Sequence, residues 1–107
     1  MPGPVPTVGR IVHYTLSLQD ADAVNRRRAE ATSARASENP EIRPRYVAHV
    51  GNHASAGDVF PAMVVRVWQG DEASVQLQVF LDGNDTYWAT SRREGTGPGT
   101  WSWPERV

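Results

Sequence analysis

The chain contains no cysteine and no lysine. Without a thiol there is no disulfide scaffold, no sulfur nucleophile, no thiolate metal site and no thiol redox switch. All 11 basic residues are arginines, a usage that a GC-rich coding genome produces through codon bias. No stretch approaches the roughly 20 consecutive apolar residues of a membrane helix. The opening Met1-Pro2-Gly3-Pro4-Val5-Pro6 has neither the basic region nor the apolar run of a signal peptide, so a soluble protein without a leader is expected. A net charge of −1 opposes general nucleic-acid binding, which needs a basic face to neutralise several phosphates.

What is present fits one domain. A length of 107 residues supports a single modest core. Residues 1–7, with three prolines and a glycine, read as an extended arm, and residues 8–107 read as one β-rich domain with a helix and loop insertion at 18–44. Residues 10–16, Arg-Ile-Val-His-Tyr-Thr-Leu, are β-branched and aromatic and predict a strand. Ser17 stands three residues before Asp20, a capping-box-like start for a helix over 18–31. Its apolar positions Leu18, Ala21, Val24 and Ala31 form only a thin stripe, enough to cover the edge of a sheet. Residues 32–44 read as a polar connector, and 45–50 as a further strand ended by Gly51-Asn52.

The second half alternates more clearly. Residues 59–68 predict a strand with Met63, Val65 and Val67 on one face and Ala62, Val64, Arg66 and Trp68 on the other. After a turn at 69–72, residues 74–81 place Val75, Leu77, Val79 and Leu81 inward and Gln76, Gln78 and Phe80 outward. Asp82-Gly83-Asn84-Asp85 predicts a hairpin. Residues 86–91 predict another strand, 92–99 a Gly-rich loop, and 100–104 a short last strand ended by proline. Five to six short strands with one inserted helix predict a small bent antiparallel sheet or partly open barrel, with a two-layer α+β sandwich as the alternative.

Catalytic and metal-binding patterns are weak. His49 and His53 have helical ligand spacing, but Gly51-Asn52 between them breaks a helix. Asp82-Gly83-Asn84-Asp85 lacks the bidentate Glu of a calcium loop. Gly-x-Ser-x-Gly is missing, and Gly95-Thr96-Gly97-Pro98-Gly99 lacks the Lys-Ser/Thr of a phosphate loop. No catalytic residue, metal ligand or cofactor is therefore assigned, and the expectation is a protein that is not an enzyme. The triplet Arg26-Arg27-Arg28 reads as a solvated helix face.

The aromatic residues carry the strongest functional signal. Trp68, Trp88, Trp101 and Trp103 all fall in the last 40 residues, with Tyr87, Arg66, Arg92 and Arg93 close by in sequence. Two readings compete: indoles that close the ends of the barrel, and an aromatic groove in which a planar ligand stacks while an arginine engages phosphate or carboxylate. The second assigns ligand binding to Arg66, Trp68, Tyr87, Trp88, Arg92, Trp101 and Trp103. A subunit interface would use the same residues.

The segments Val8-Gly9-Arg10-Ile11-Val12-His13-Tyr14, residues 57–68 (Gly-Asp-Val-Phe-Pro-Ala-Met-Val-Val-Arg-Val-Trp), residues 80–88 (Phe-Leu-Asp-Gly-Asn-Asp-Thr-Tyr-Trp) and Trp101-Ser102-Trp103-Pro104 resemble small proteins of unassigned function encoded by actinobacterial, mycobacteriophage-like bacteriophages. The resemblance implies a source and carries no catalytic or binding residues across. On that source, the leading expectation is a counter-defence protein that sequesters a nucleotide-derived immune signal in the cytoplasm of the infected host. It would be a homo-oligomer that binds no membrane. The alternatives are a virion accessory protein of capsid or tail, and an inhibitor that binds a host protein directly.

Overall fold

The computed structural model describes residues 5–36 and 51–105. Its elements are β1 (Ile11–Thr15), α1 (Leu18–Ala36), β2 (Val59–Trp68), β3 (Asp71–Phe80), β4 (Thr86–Arg93) and β5 (Trp101–Ser102). The strands form one antiparallel sheet in the order β4-β3-β2-β1-β5, curled into a half-barrel with the helix against it. This is the bent sheet expected from the strand pattern. The strand expected at 45–50 lies outside the described residues.

The alternation of β3 sets the inside of the half-barrel, although Ser74 and Gln76, the latter expected outward, are buried as well. Val75, Leu77 and Val79 are fully buried with Val12, Tyr14, Leu16, Ala62, Val64, Ala89 and Trp101, and α1 adds Ala21 and Val24. Gly70, at φ 86°, sits in the left-handed region that turns β2 back into β3.

Three irregularities interrupt the ladders, at Val64/Arg66 and Val67/Trp68 in the β2–β3 pairing and at Val75/Leu77 in the β3–β4 pairing, and the first and last bear on the candidate site residues. In β2, Val64 pairs with Leu77 but Arg66 pairs with Gln76, so Val65 is an extra residue and the strand changes face there. Below it Ala62 and Val64 are buried; above it Val67 packs against the core, while Arg66 and Trp68 are exposed. Strict alternation had placed Val64, Arg66 and Trp68 on one face, and the bulge separates them.

In β4, Ala89 pairs with Leu77 and Arg92 pairs with Val75, so three steps on β4 match two on β3. Ser91 adopts φ 52°, and its N–H donates to the Gln76 side-chain carbonyl at 2.6 Å. The extra residue brings Arg92 to the register position that Ser91 would otherwise hold, across from the buried Val75.

Helix α1 begins as the sequence predicts. The Asp20 N–H donates to Ser17 Oγ at 3.1 Å and the Ser17 N–H donates to the Asp20 carboxylate at 3.0 Å, a reciprocal cap. It ends later than expected, at Ala36 rather than 31. The five added residues include two alanines and an arginine, all good helix formers, and the first proline after them is Pro40. The polar connector accordingly loses residues 32–36 to the helix. Leu18, assigned to the apolar stripe, is exposed.

The helix covers the open side of the half-barrel. The Arg27 guanidinium donates to the Thr86 carbonyl of edge strand β4 at 3.0 Å, satisfying part of an edge that would otherwise be free to pair. At the other end of β4, Glu94 forms an isolated bridge with Trp101 of β5, and the Gly95 N–H donates to the Trp101 carbonyl at 2.9 Å. The sheet thus nearly closes on itself at one end and is sealed by a helix at the other.

Candidate functional site

The seven residues assigned to an aromatic and arginine pocket lie in three separate places. The first is internal. Trp101 is 0% exposed, and its indole N–H is shared between the Ala73 carbonyl at 3.3 Å and the Arg92 carbonyl at 3.2 Å. It plugs the end of the half-barrel and presents no face to solvent.

Tyr87 and Arg92 belong to the same interior, and both converge on Asp20. The Asp20 carboxylate, 1% exposed, accepts the Tyr87 hydroxyl at 3.0 Å and the Arg92 guanidinium at 2.8 Å, and it also accepts the Tyr14 hydroxyl. Arg92 in turn lies over the Tyr14 ring, 5.8 Å from its centroid. Burial pushes the Asp20 carboxyl up, but the bonds from Tyr14 and the Ser17 N–H, together with Arg92 and Tyr87, outweigh it and hold the group below its ordinary value. The Tyr14 and Tyr87 hydroxyls are raised, first by burial and then by the Asp20 charge they face. The sequence signals an acid in the first turn of a helix; the long-range convergence of two strands on that acid has no local signature.

A second polar cluster pins the helix to the β3–β4 hairpin. Buried Asp85 pairs with Arg27 at 2.7 Å and with Arg28 at 3.4 Å. Arg28 also donates to the carbonyls of Asn52 and Asp82, and the Asn52 amide donates to the Asp82 carboxylate. The arginine triplet therefore splits: Arg26 is exposed, whereas Arg27 and Arg28 are structural. Asn25 completes the seam by exchanging two hydrogen bonds with the Ala54 backbone, at 2.8 and 3.0 Å.

The second place is the outer face of the sheet, which holds Trp88, Arg66 and Trp68. Trp88 lies opposite in sense to Tyr87 and is 58% exposed. Register joins it across four strands to Gln78, Met63 and Ile11. Ile11, Val65 and Phe80 are exposed as well, and the Arg66 guanidinium lies over the Trp68 ring at 5.0 Å. A face of this kind, mostly apolar around one glutamine and carrying an arginine stacked on an indole, has the composition of an interface core and its polar border.

The third place is the β5 end of the sheet. Trp103 is half-buried and meets Trp101 edge-on, with centroids 5.6 Å apart. The Arg10 guanidinium lies over the Trp103 ring at 5.3 Å. Trp103 also lines an open groove of about 510 Å³ with His13, Thr15, Val59, Ser102 and Glu105. Sequence reading missed His13, Glu105 and Arg10, which are scattered along the chain and meet only through the β1–β5 pairing.

Among the described residues no group of three or more His, Asp or Glu side chains is placed to hold a metal ion. His49 lies outside them. No described helix is long and apolar enough to cross a membrane. Compared with family models, curated proteins and solved structures, the chain finds no match.

Proposed function

We propose that the protein is a non-enzymatic binding protein that attaches to a protein partner through the outer face of its sheet, with Trp88 at the centre. The observation that carries this reading is the row Ile11–Met63–Gln78–Trp88, in which a 58% exposed indole stands on a rigid four-stranded platform with no role in the core. Large aromatic anchors on rigid strands lose little conformational freedom on docking, and tryptophan and arginine dominate interface energetics. The resemblance to actinobacterial phage proteins makes the partner a host protein or a capsid or tail component.

The test is capture from a lysate of an actinobacterial host, and from purified phage particles, with wild-type protein and the Trp88→Ser variant in parallel. Retention of one defined protein by wild type and its loss with Trp88→Ser supports the reading. Equal retention by both removes it. A second reading, capture of a nucleotide-like small molecule, is favoured by the groove lined by Trp103, the indole on which Arg10 stacks from outside that lining. A thermal-shift panel of nucleotides and cyclic nucleotides, repeated with Trp103→Leu, tests it.

A further inference from the structure

We infer that the protein pairs with a second copy of itself along the outer edge of β4, in an antiparallel register centred on Trp88, so that two five-stranded sheets become one. The inference concerns the edge of the sheet, and it stands whether or not the outer face holds a partner.

The hairpin fixes which groups of β4 face that edge. The Leu81 N–H donates to the Asp85 carbonyl at 3.1 Å, and hydrogen-bonded and non-bonded pairs alternate from there. Val79 with Tyr87 and Leu77 with Ala89 are the bonded pairs. Thr86 and Trp88, opposite Phe80 and Gln78, therefore turn their N–H and C=O groups away from β3. The bond from Arg27 to the Thr86 carbonyl lies on that outward side. Among the described residues it is the one partner these four groups meet, and a carbonyl with two lone pairs can accept a second donor.

Sheets ordinarily blunt such edges with charge, proline or a very short strand. The opposite edge does so: β5 has two residues, is followed closely by Pro104 and is bridged through Trp101 to Glu94. In β4, residues 86–91, Thr-Tyr-Trp-Ala-Thr-Ser, carry neither charge nor proline.

The stretch is also self-complementary. The hairpin before Thr86 and the bulge at Ser91 bound it, which leaves Trp88 at its centre. A two-fold axis there sets Trp88 against Trp88 of the second copy, Thr86 against Thr90 and Tyr87 against Ala89. The two Trp88 residues exchange both backbone bonds, and their 58% exposed indoles cover one another. The threonines, exposed in each chain, meet as cross-strand pairs on the outer face. A one-residue slip would set outward-pointing backbone groups against inward-pointing ones, and a two-residue slip would carry each strand into the other's bulge or hairpin.

Analytical ultracentrifugation of the full chain, beside amide hydrogen exchange followed by NMR, tests this. The expected result is a dimer whose Trp88 amide exchanges slowly and speeds up on dilution. Thr86→Lys with Thr90→Lys sets like charges opposite each other at both ends of the paired stretch, and is expected to weaken the dimer by about tenfold. Thr86→Glu with Thr90→Lys sets opposite charges at the same positions, and is expected to hold it within about threefold of wild type. A monomer, a dimer whose Trp88 amide exchanges as fast as in the dilute chain, or two double variants that behave alike overturns the inference.

Discussion

Asp20 on helix α1 and Arg92 on β4 are 72 positions apart, and their side chains meet at 2.8 Å inside the open flank of the half-barrel. The pair exists because a one-residue bulge before Arg92 turns that arginine to the register of Val75, while the Ser17 cap fixes Asp20 in the first turn of the helix. Tyr14 from β1 and Tyr87 from β4 complete the set, so one carboxylate joins the helix to both flanks of the sheet.

Removing that carboxylate leaves two buried or half-buried hydroxyls and a guanidinium without their acceptor. Asp20→Ala is therefore expected to destabilise the fold by about 3–5 kcal/mol, the cost of orphaning a buried charged partner. Tyr87→Phe, which removes a single hydrogen bond at the margin of the cluster, is expected to cost about 1 kcal/mol. Urea unfolding followed by tryptophan fluorescence measures both.

The same cluster sets the pH limits of the fold. The Asp20 carboxyl is lowered from its ordinary value of 3.8 in the folded state, so its stabilisation is present above that value and is lost as the pH falls below it. The Tyr14 hydroxyl is raised from 10.0, so its contribution is intact below pH 10 and is lost as the pH rises above it. Thermal melts across the pH range are expected to show a plateau with losses at both ends. Asp20→Asn is expected to flatten the acid limb, and Tyr14→Phe the alkaline one.

Gly51 lies where the chain passes beneath the β3–β4 hairpin, and a Cβ there would run into the Asp82 carbonyl and the Arg28 guanidinium. Gly51→Ala is expected to cost about 1–3 kcal/mol through overpacking against backbone. Gly97→Ala is the control, since a Cβ at that position meets nothing within 4 Å. Differential scanning calorimetry of the two variants separates the outcomes: a lowered melting temperature for the first and an unchanged one for the second.

Four tryptophans divide by role, and substitution reads that division. Trp101→Ala is expected to lose about 3–5 kcal/mol as a large core deletion. Trp88→Ala is expected to stay within about 0.5 kcal/mol of wild type, as an outward residue with no core contact. Chemical denaturation of both variants checks the contrast, and a large loss for Trp88→Ala would make it a structural residue.

Local rules made much of this legible. The reciprocal Ser17–Asp20 cap, the alternation of β3 and the hairpin at Asp82-Gly83-Asn84-Asp85 all act over a few residues, and the sequence displays them. The half-barrel follows from their sum. The facing of β2 and β4 was not legible, because the extra residue in each strand shifts a period of two by one and nothing in composition marks Val65 or Ser91 as the place. The candidate site suffered from the same cause. Grouping aromatics by nearness in sequence joined Trp101, which is core, to Trp88, which is surface, and passed over His13 and Glu105, which are brought together only by the β1–β5 ladder.

The outer-face claim meets its most direct test in site-specific photocrosslinking. Trp88 is replaced by the photoreactive p-benzoylphenylalanine, with exposed His53, off the sheet, replaced in the same way in a second sample, and both are irradiated in host lysate and with purified particles. One dominant crosslinked protein at position 88, absent at position 53, is the predicted result, and its mass spectrum distinguishes a host protein, a virion protein and a second copy of this chain. Identical or absent adducts at the two positions would contradict the account.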